Sequence, residues 1–296
     1  MERTAIITDS VAIVPPDVQR DLDIHVVPLV LEIDGVSYRD GVDITPAEFY
    51  ALMTRAKAIP RTSQPSPGWY LQEYTRCARD ADRILCVAAG SKLSGTYSCA
   101  VLAARLFESD APPGGRAVPV EVLDTGFGAV PEGLVAIEAA RAARAGAPYA
   151  EIVRRAREVV ARARLLVVVD TLEYLVRGGH VPKVAAAAAK VIGLKPFIGF
   201  RNGDAVPIGA ARGNEQAMAT ILKRLRRDRD RVMASIGRSP RFIAGVMHAA
   251  SQDRGERLLG LIREQLEPAE SFLADFTPVM GAHTGPGVFG VGYIMD

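Results

Sequence analysis

Along this chain, short apolar runs alternate with stretches whose apolar residues recur every three to four positions. Strands alternating with helices follow from that pattern, and with them an α/β fold with a largely parallel sheet. The strand-like runs are Ala5–Thr8, Ile24–Ile33, Val36–Arg39, Arg83–Ala88, Val118–Leu123, Leu165–Val169, Phe197–Phe200, Ala205–Ile208 and Phe242–His248, with a last strand-like segment from Phe276 onward. Asp34-Gly35 and Asn202-Gly203 are hairpin turns by composition, because both central positions of a tight hairpin need a positive φ. Thr45-Pro46-Ala47-Glu48 opens a helix with the residues of a capping box, and Ser66-Pro67 opens the next, which runs to about Ala81. Further helical patterns cover 95–107, 131–145, 149–164, about 183–192 (rich in Ala), some twenty residues after Ile208, and 253–266. The texture changes near residue 164. A boundary there divides the chain into an N-terminal α/β domain, 1–164, and a C-terminal α/β domain, 165–296, as a length of 296 residues also suggests.

Composition narrows the possibilities. Hydrophobic residues make up 49% and charged residues 24%, which excludes a disordered chain and permits a large core. The formal net charge of +2 gives no overall pull toward nucleic acid or an anionic surface. Cys77, Cys86 and Cys99 form no CxxC pair and no Cys–His cluster, so they read as small core residues of a protein in a reducing cytosol. The N-terminus enters an apolar run without a basic leader, and no run of about 18 uncharged apolar residues occurs. The expectation is a cytoplasmic protein without a signal peptide or transmembrane helix.

Three strands end in Asp followed by a hydroxyl residue: Asp9-Ser10, Asp124-Thr125 and Asp170-Thr171. Ligands of open α/β sheets gather at the carboxyl ends of strands, although such residues also cap the turn that follows. The stretch Gly90-Ser91-Lys92-Leu93-Ser94-Gly95-Thr96 leaves a strand and enters a helix. It is not a P-loop, because Thr96 stands where the phosphate-binding Lys is needed. It is not a nucleophile elbow, because Lys92 stands where Gly must precede Ser94. What remains is a small-residue loop at a helix N-terminus. Its N–H groups, with the Ser91 and Ser94 hydroxyls, suit one anionic head such as a carboxylate.

Thr62-Ser63-Gln64-Pro65-Ser66 is a second hydroxyl-rich loop. Ser66 serves as the next N-cap, which leaves Thr62 and Gln64 either facing a ligand or filling a polar turn. Gly285-Pro286-Gly287-Val288-Phe289-Gly290 matches GxGxxG, but six following residues leave no room for the helix and strand that a dinucleotide site requires. Of the histidines, His25 and His248 lie in apolar runs and read as core or edge residues, and His180 reads as a loop residue. His283, beside Thr284 and Gly285, is the functional candidate. Arg177 and Arg212 are candidates to meet an anion, since a guanidinium binds carboxylates and phosphates bidentately. The Arg-rich stretch 141–164 is a solvated face.

Taken in order, these motifs resemble the DegV family, the fatty acid-binding subunits of bacterial fatty acid kinase. The resemblance rests on TDS at 8–10, VVPL at 26–29, GVSYRDGVDI at 35–44, TSQPS at 62–66, SKLSGTY at 91–97, YLVRGG at 174–179, LKP at 194–196, Arg212 and HTGPG at 283–287. It implies a two-domain fold with a fatty acid buried between the domains. It further implies a protein without catalysis or resident cofactor, which presents the acyl carboxylate to a separate ATP-dependent kinase for phosphorylation to acyl phosphate in phospholipid metabolism. The implied partners are a long-chain fatty acid and that kinase, with transient membrane contact and no nucleic acid. By the same resemblance Thr62, Ser94 and His283 hold the carboxylate. Arg212 and Arg177 support phosphoryl transfer, and Asp9, Ser10, Ser63, Gln64, Ser91, Gly95, Thr96, Thr284 and Gly285 shape the surrounding loops. Val11, His180 and Ala89-Gly90 depart from the family pattern.

The physics of such a ligand is consistent with an oily chain: each buried methylene gains roughly 0.8 kcal/mol, while the head group must meet donors. The residue types also permit two other readings. One is an acyl hydrolase or transferase using Ser94 with His283 and an Asp such as Asp9. The other is a regulatory protein for another lipid or small acid.

Overall fold

The computed structural model describes residues 2–109, 117–179 and 193–296. His180 and the Ala-rich helix expected over 183–192 lie outside the described residues.

A four-stranded sheet is built from β1 (Thr4–Asp9), β2 (Ile24–Val27), β6 (Arg83–Ala88) and β7 (Val120–Asp124), in the order β2-β1-β6-β7, all parallel. The apolar run expected as one strand over Ile24–Ile33 is two strands. Pro28 has no N–H to continue a ladder, and beyond it β3 (Val30–Ile33) leaves the sheet. It forms a small antiparallel sheet with β4 (Val36–Arg39) and β5 (Arg61–Ser63), in the order β4-β3-β5. The Asp34-Gly35 turn joins β3 to β4, with φ of 48° and 82°.

The second large sheet has the order β10-β9-β8-β13-β11-β12. Its strands are β8 (Arg164–Val168), β9 (Leu194–Arg201), β10 (Asp204–Arg212), β11 (Phe242–His248), β12 (Glu270–Asp275) and β13 (Phe289–Met295). Only β11–β12 is parallel, so the parallel expectation applies to the first sheet alone. The segment from Phe276 onward is not one strand. Thr277 caps a seven-residue helix, Pro278–Thr284, and β13 follows it. Fewer than two helical turns leave too little periodicity to be read from sequence.

The helices before that segment are α1 (Pro16–Asp21), α2 (Pro46–Met53), α3 (Pro67–Cys77), α4 (Thr96–Ser109), α5 (Ala129–Arg144), α6 (Tyr149–Arg162), α7 (Glu173–Arg177), α8 (Gly213–Ile236) and α9 (Gln252–Leu266); Pro278–Thr284 is α10. Thr45 and Glu48 form the expected capping box on α2. Helix α5 lies between the two large sheets, against β1 and β6 on one side and β11 and β13 on the other. Each of its residues from Ala129 to Ala140 is buried. Gly245 and Gly292, paired across β11 and β13, let it sit that close: a Cβ on either would stand 2.6 Å from a Val130 side-chain carbon. No helix among the described residues is long and apolar enough to cross a membrane.

Candidate functional site

The inner face of the second large sheet and the loops that leave the carboxyl ends of β1, β2 and β6 border a cavity of about 300 Å³. Alternate residues of a strand share a face, so Leu165 and Val167 of β8 line the cavity, as does Val169 just after it, while Leu166 and Val168 enter a separate core. Ile198 and Phe200 of β9 continue the apolar wall, and Phe276 and Met280 close it from the α10 side. At one end the Phe200 ring meets Phe127 edge to face at 5.5 Å. Beyond it lies a wider groove rimmed by Arg164, Arg201, Arg227 and Arg231, which shares only Leu165 and Phe200 with the cavity.

The other end is polar. Thr62 sits on β5, opposite Leu31 of β3, and its hydroxyl lies 2.7 Å from His283 Nε2. His283 is the penultimate residue of α10. That short helix is fixed at its C-terminal end by Gly285. There φ is +77°, and a Cβ would stand 2.5 Å from the Tyr174 ring of α7. The Thr284 hydroxyl donates to Met280 O at 2.9 Å. Two short elements, from opposite halves of the sequence, thus create the Thr62–His283 pair.

Ser94 stands at the N-terminus of α4. Its Oγ accepts the Thr96 N–H at 3.2 Å and lies 2.7 Å from the Thr96 hydroxyl. This is a hydroxyl turn one residue ahead of Gly95, whose carbonyl accepts the Cys99 N–H at 3.0 Å as the helix begins. Gly95 lets the second loop approach, since a Cβ there would stand 3.0 Å from the Gln64 amide. Ser63, Gln64, Ser94, Gly95 and Thr284 border the cavity with Thr62 and His283. No Lys or Arg is among its described lining residues. An anionic head here would meet hydroxyls, an imidazole and a helix N-terminus rather than a fixed cation.

The other sequence candidates stand behind or away from the cavity. Asp9 is buried, and its carboxylate accepts the Val11 N–H at 3.0 Å and the Ala89 N–H at 2.9 Å. Burial raises its pKa to about 6 despite those bonds. Ser10 Oγ accepts the Leu29 N–H at 3.0 Å, and the Ser91 N–H donates to Asp124 Oδ1 at 3.1 Å. Arg177 is exposed and pairs with Glu173 at 2.7 Å, although the adjacent Gly178 borders the cavity. Arg212 is exposed where β10 runs into α8, and its N–H donates to Gln216 Oε1 at 2.5 Å.

Sequence reading passed over Asp40 and Glu132, both buried near this end. An acid inside the apolar run of α5 was the available signal for Glu132. The donors of His25, Glu73 and Cys77 also converge, in a manner that could hold a metal ion, at a distance from the cavity. There the Arg76 guanidinium bonds to both Glu73 and His25. Burial alone would raise the Glu73 pKa, but His25 and Arg76 bring it down to about 2. The cluster is satisfied as an ion-pair network.

The parallel sheet, the mixed sheet and the apolar cavity closed by polar donors define a two-sheet α/β ligand-binding protein. The chain belongs to the DegV family: the family's sequence model, described as "Uncharacterised protein, DegV family", matches residues 3–296. A DegV domain-containing protein of Streptomyces coelicolor is 33% identical over 289 residues, 97% of this chain and 96% of the relative. One from Caldanaerobacter subterraneus is 31% identical over 98% of both chains. A solved structure of a DegV family protein from Thermus thermophilus, described by its fatty acid binding, superposes with a TM-score of 0.87. It is 29% identical, over 99% of this chain and 100% of that one. A stearic acid-binding protein from Eubacterium ventriosum also has a TM-score of 0.87, at 27% identity, with 100% and 98% coverage. Fatty acid binding is thus a property of solved members of this family.

Proposed function

We propose that this protein binds a long-chain fatty acid in the apolar cavity and presents the carboxylate to a separate ATP-dependent kinase. The observation that carries the reading is the cavity's polarity: apolar along β8 and β9, and ending at Thr62, His283 and Ser94. Burial of the acyl chain drives binding, at roughly 0.8 kcal/mol per methylene. The hydroxyls and imidazole offset the desolvation of the head group. With no Lys or Arg among the described lining residues, the carboxylate keeps an oxygen free to attack a phosphoryl group. The role requires no resident cofactor, and the protein acts as a carrier rather than a catalyst.

Native mass spectrometry of the purified protein is expected to show an added mass matching a long-chain acid. No bound acid after loading with excess oleate or palmitate would sink the reading. The exposed Arg212 belongs to the kinase step, so Arg212→Ala should keep the lipid but lose kinase-supported phosphorylation. Wild-type turnover by that variant would remove the role.

A further inference from the structure

Three carboxyl groups lie buried behind the polar end of the cavity. Asp9 and Glu132 are fully buried, and Asp40 is 2% exposed. Glu132 Oε2 and both Asp40 carboxyl oxygens have no hydrogen bond of good geometry, a costly state for buried polar atoms. Each group stands at a wall of the site. Asp9 ties the turn after β1 to the turn after β6 through Val11 and Ala89, which both line the cavity. Asp40 follows β4, close to the Ser10 hydroxyl and to the Val279 N–H in the first turn of α10, the helix that carries His283. Glu132 reaches Asp9 from α5 and accepts the Thr8 hydroxyl at 3.4 Å.

We propose that Asp9, Asp40 and Glu132 are positioning residues for the head-group end of the cavity, held together by protons retained among buried carboxyls rather than by cations. Two ionised carboxylates are acceptors only and cannot bond to each other. The Asp9–Glu132 contact therefore needs a proton, as in other carboxyl pairs that share a site. Burial keeps Glu132 neutral well above the ordinary range, with the Asp9 charge adding to the effect. It is the donor and Asp9 the acceptor. Burial raises Asp40 to about 7, with Asp9 again contributing. Among the described residues, the titratable groups facing the cluster are Tyr70 of α3, Cys86 of β6, Asp124 of β7 and Tyr50 of α2, with Asp275 beside Tyr50, His248 3.5 Å from Asp275, and His283 on α10. Ionisation of Asp40 therefore adds negative charge beneath α10, the helix that carries His283. Fatty acid affinity should fall as the pH rises through about 7.

The proposal rests on the fatty acid reading for its ligand, while its test of the proton does not. Carboxyl carbon NMR of the whole protein should show Glu132 still protonated well above the ordinary glutamate range. Titration near its ordinary value of about 4.3 would overturn the proposal. With oleate as probe, Glu132→Gln keeps the donor and should bind within about threefold of wild type, while Glu132→Leu should lose about tenfold or more. Wild-type affinity in Glu132→Leu would overturn the positioning role. If that variant does not fold, Asp40→Asn decides: it should flatten the loss of affinity between about pH 6 and 8, and an unchanged slope would overturn the proposal. Absence of oleate binding by the wild type would defeat the proposed function, while the NMR titration would still decide the carboxyl pairing.

Discussion

Helix α5 carries two buried glutamates that are held in opposite ways. Glu138, six residues after Glu132, accepts from Arg141 and Arg241, each at 2.8 Å, and from Arg155. Glu270 joins Arg141 and Arg241, and Asp296 joins Arg155. Burial alone would raise the Glu138 pKa, yet Arg241 and Arg155 bring it down to about 2. Glu132 has a hydroxyl and another carboxyl instead of guanidinium groups, and it keeps its proton. Both arrangements meet the same requirement, that a buried charge be neutralised. The cationic one locks α5 to α6 and to the start of β11 and β12. The protonic one stands beside the cavity, where a buried cation would form a lasting ion pair with an anionic ligand.

The comparison is sharpest where one partner can be removed. Glu138→Ala leaves Arg155 with Asp296 and Arg241 with Glu270 but removes the buried acceptor they share, and should cost about 1.5–3 kcal/mol in denaturant unfolding. An unchanged midpoint would mean that the arginines are solvated and the contrast is false.

Acid titration should separate the two ends by sign. The folded pKa of Glu138 lies below its ordinary 4.5. Its contribution is therefore present above that value and lost as pH falls toward about 2. The folded pKa values of Asp9 and Asp40 are raised to about 6 and about 7. Their protonated forms favour the folded state below about pH 4, and that contribution is lost as pH rises to about 7. A wild-type stability curve that climbs steadily from pH 4 to 7, and does not change in Asp40→Asn, would contradict the protonic end.

Smaller effects belong to the ligand contacts. Thr62→Ala or Ser94→Ala should each weaken fatty acid binding by about three- to tenfold, the value of one ordinary hydrogen bond. Equal binding by both variants would mean that the carboxylate sits elsewhere. The smallest effect is expected at the exposed Lys92–Asp204 pair, 3.0 Å apart. Lys92→Ala should change stability by less than about 1 kcal/mol, which gives a baseline for what burial adds to the other charges.

How much of this was legible depends on the kind of residue. The hairpins at Asp34-Gly35 and Asn202-Gly203, the capping box at Thr45 and the N-cap at Ser66 are local signals, and the structure has them. Pro28 was visible, but its consequence was not: a change of sheet depends on where β5 comes to lie, and β5 is three residues of mostly polar character. Helix α10 was hidden in an apolar, glycine-rich segment too short for a period to emerge. Thr62, Ser94 and His283 were named individually from their loops. Their convergence requires the packing of β5, α4 and α10, and no local pattern encodes that. Glu132 was missed because a lone acid in a helix normally reads as solvent-facing, and only the packing of the first sheet through β1 covers that face of α5.

The Thr62–His283 pair joins residues 221 positions apart, and β13, the last strand in chain order, occupies an interior place in its sheet between β8 and β11. On the ribosome, then, the pair that ends the cavity cannot form until residue 283 has been made. A nascent or clipped chain has the first sheet and the loops that bear Thr62 and Ser94, but nothing to close over them. A ligand that meets Thr62 and His283 together would therefore stabilise chains extended through α10 and β13 over those that stop before them.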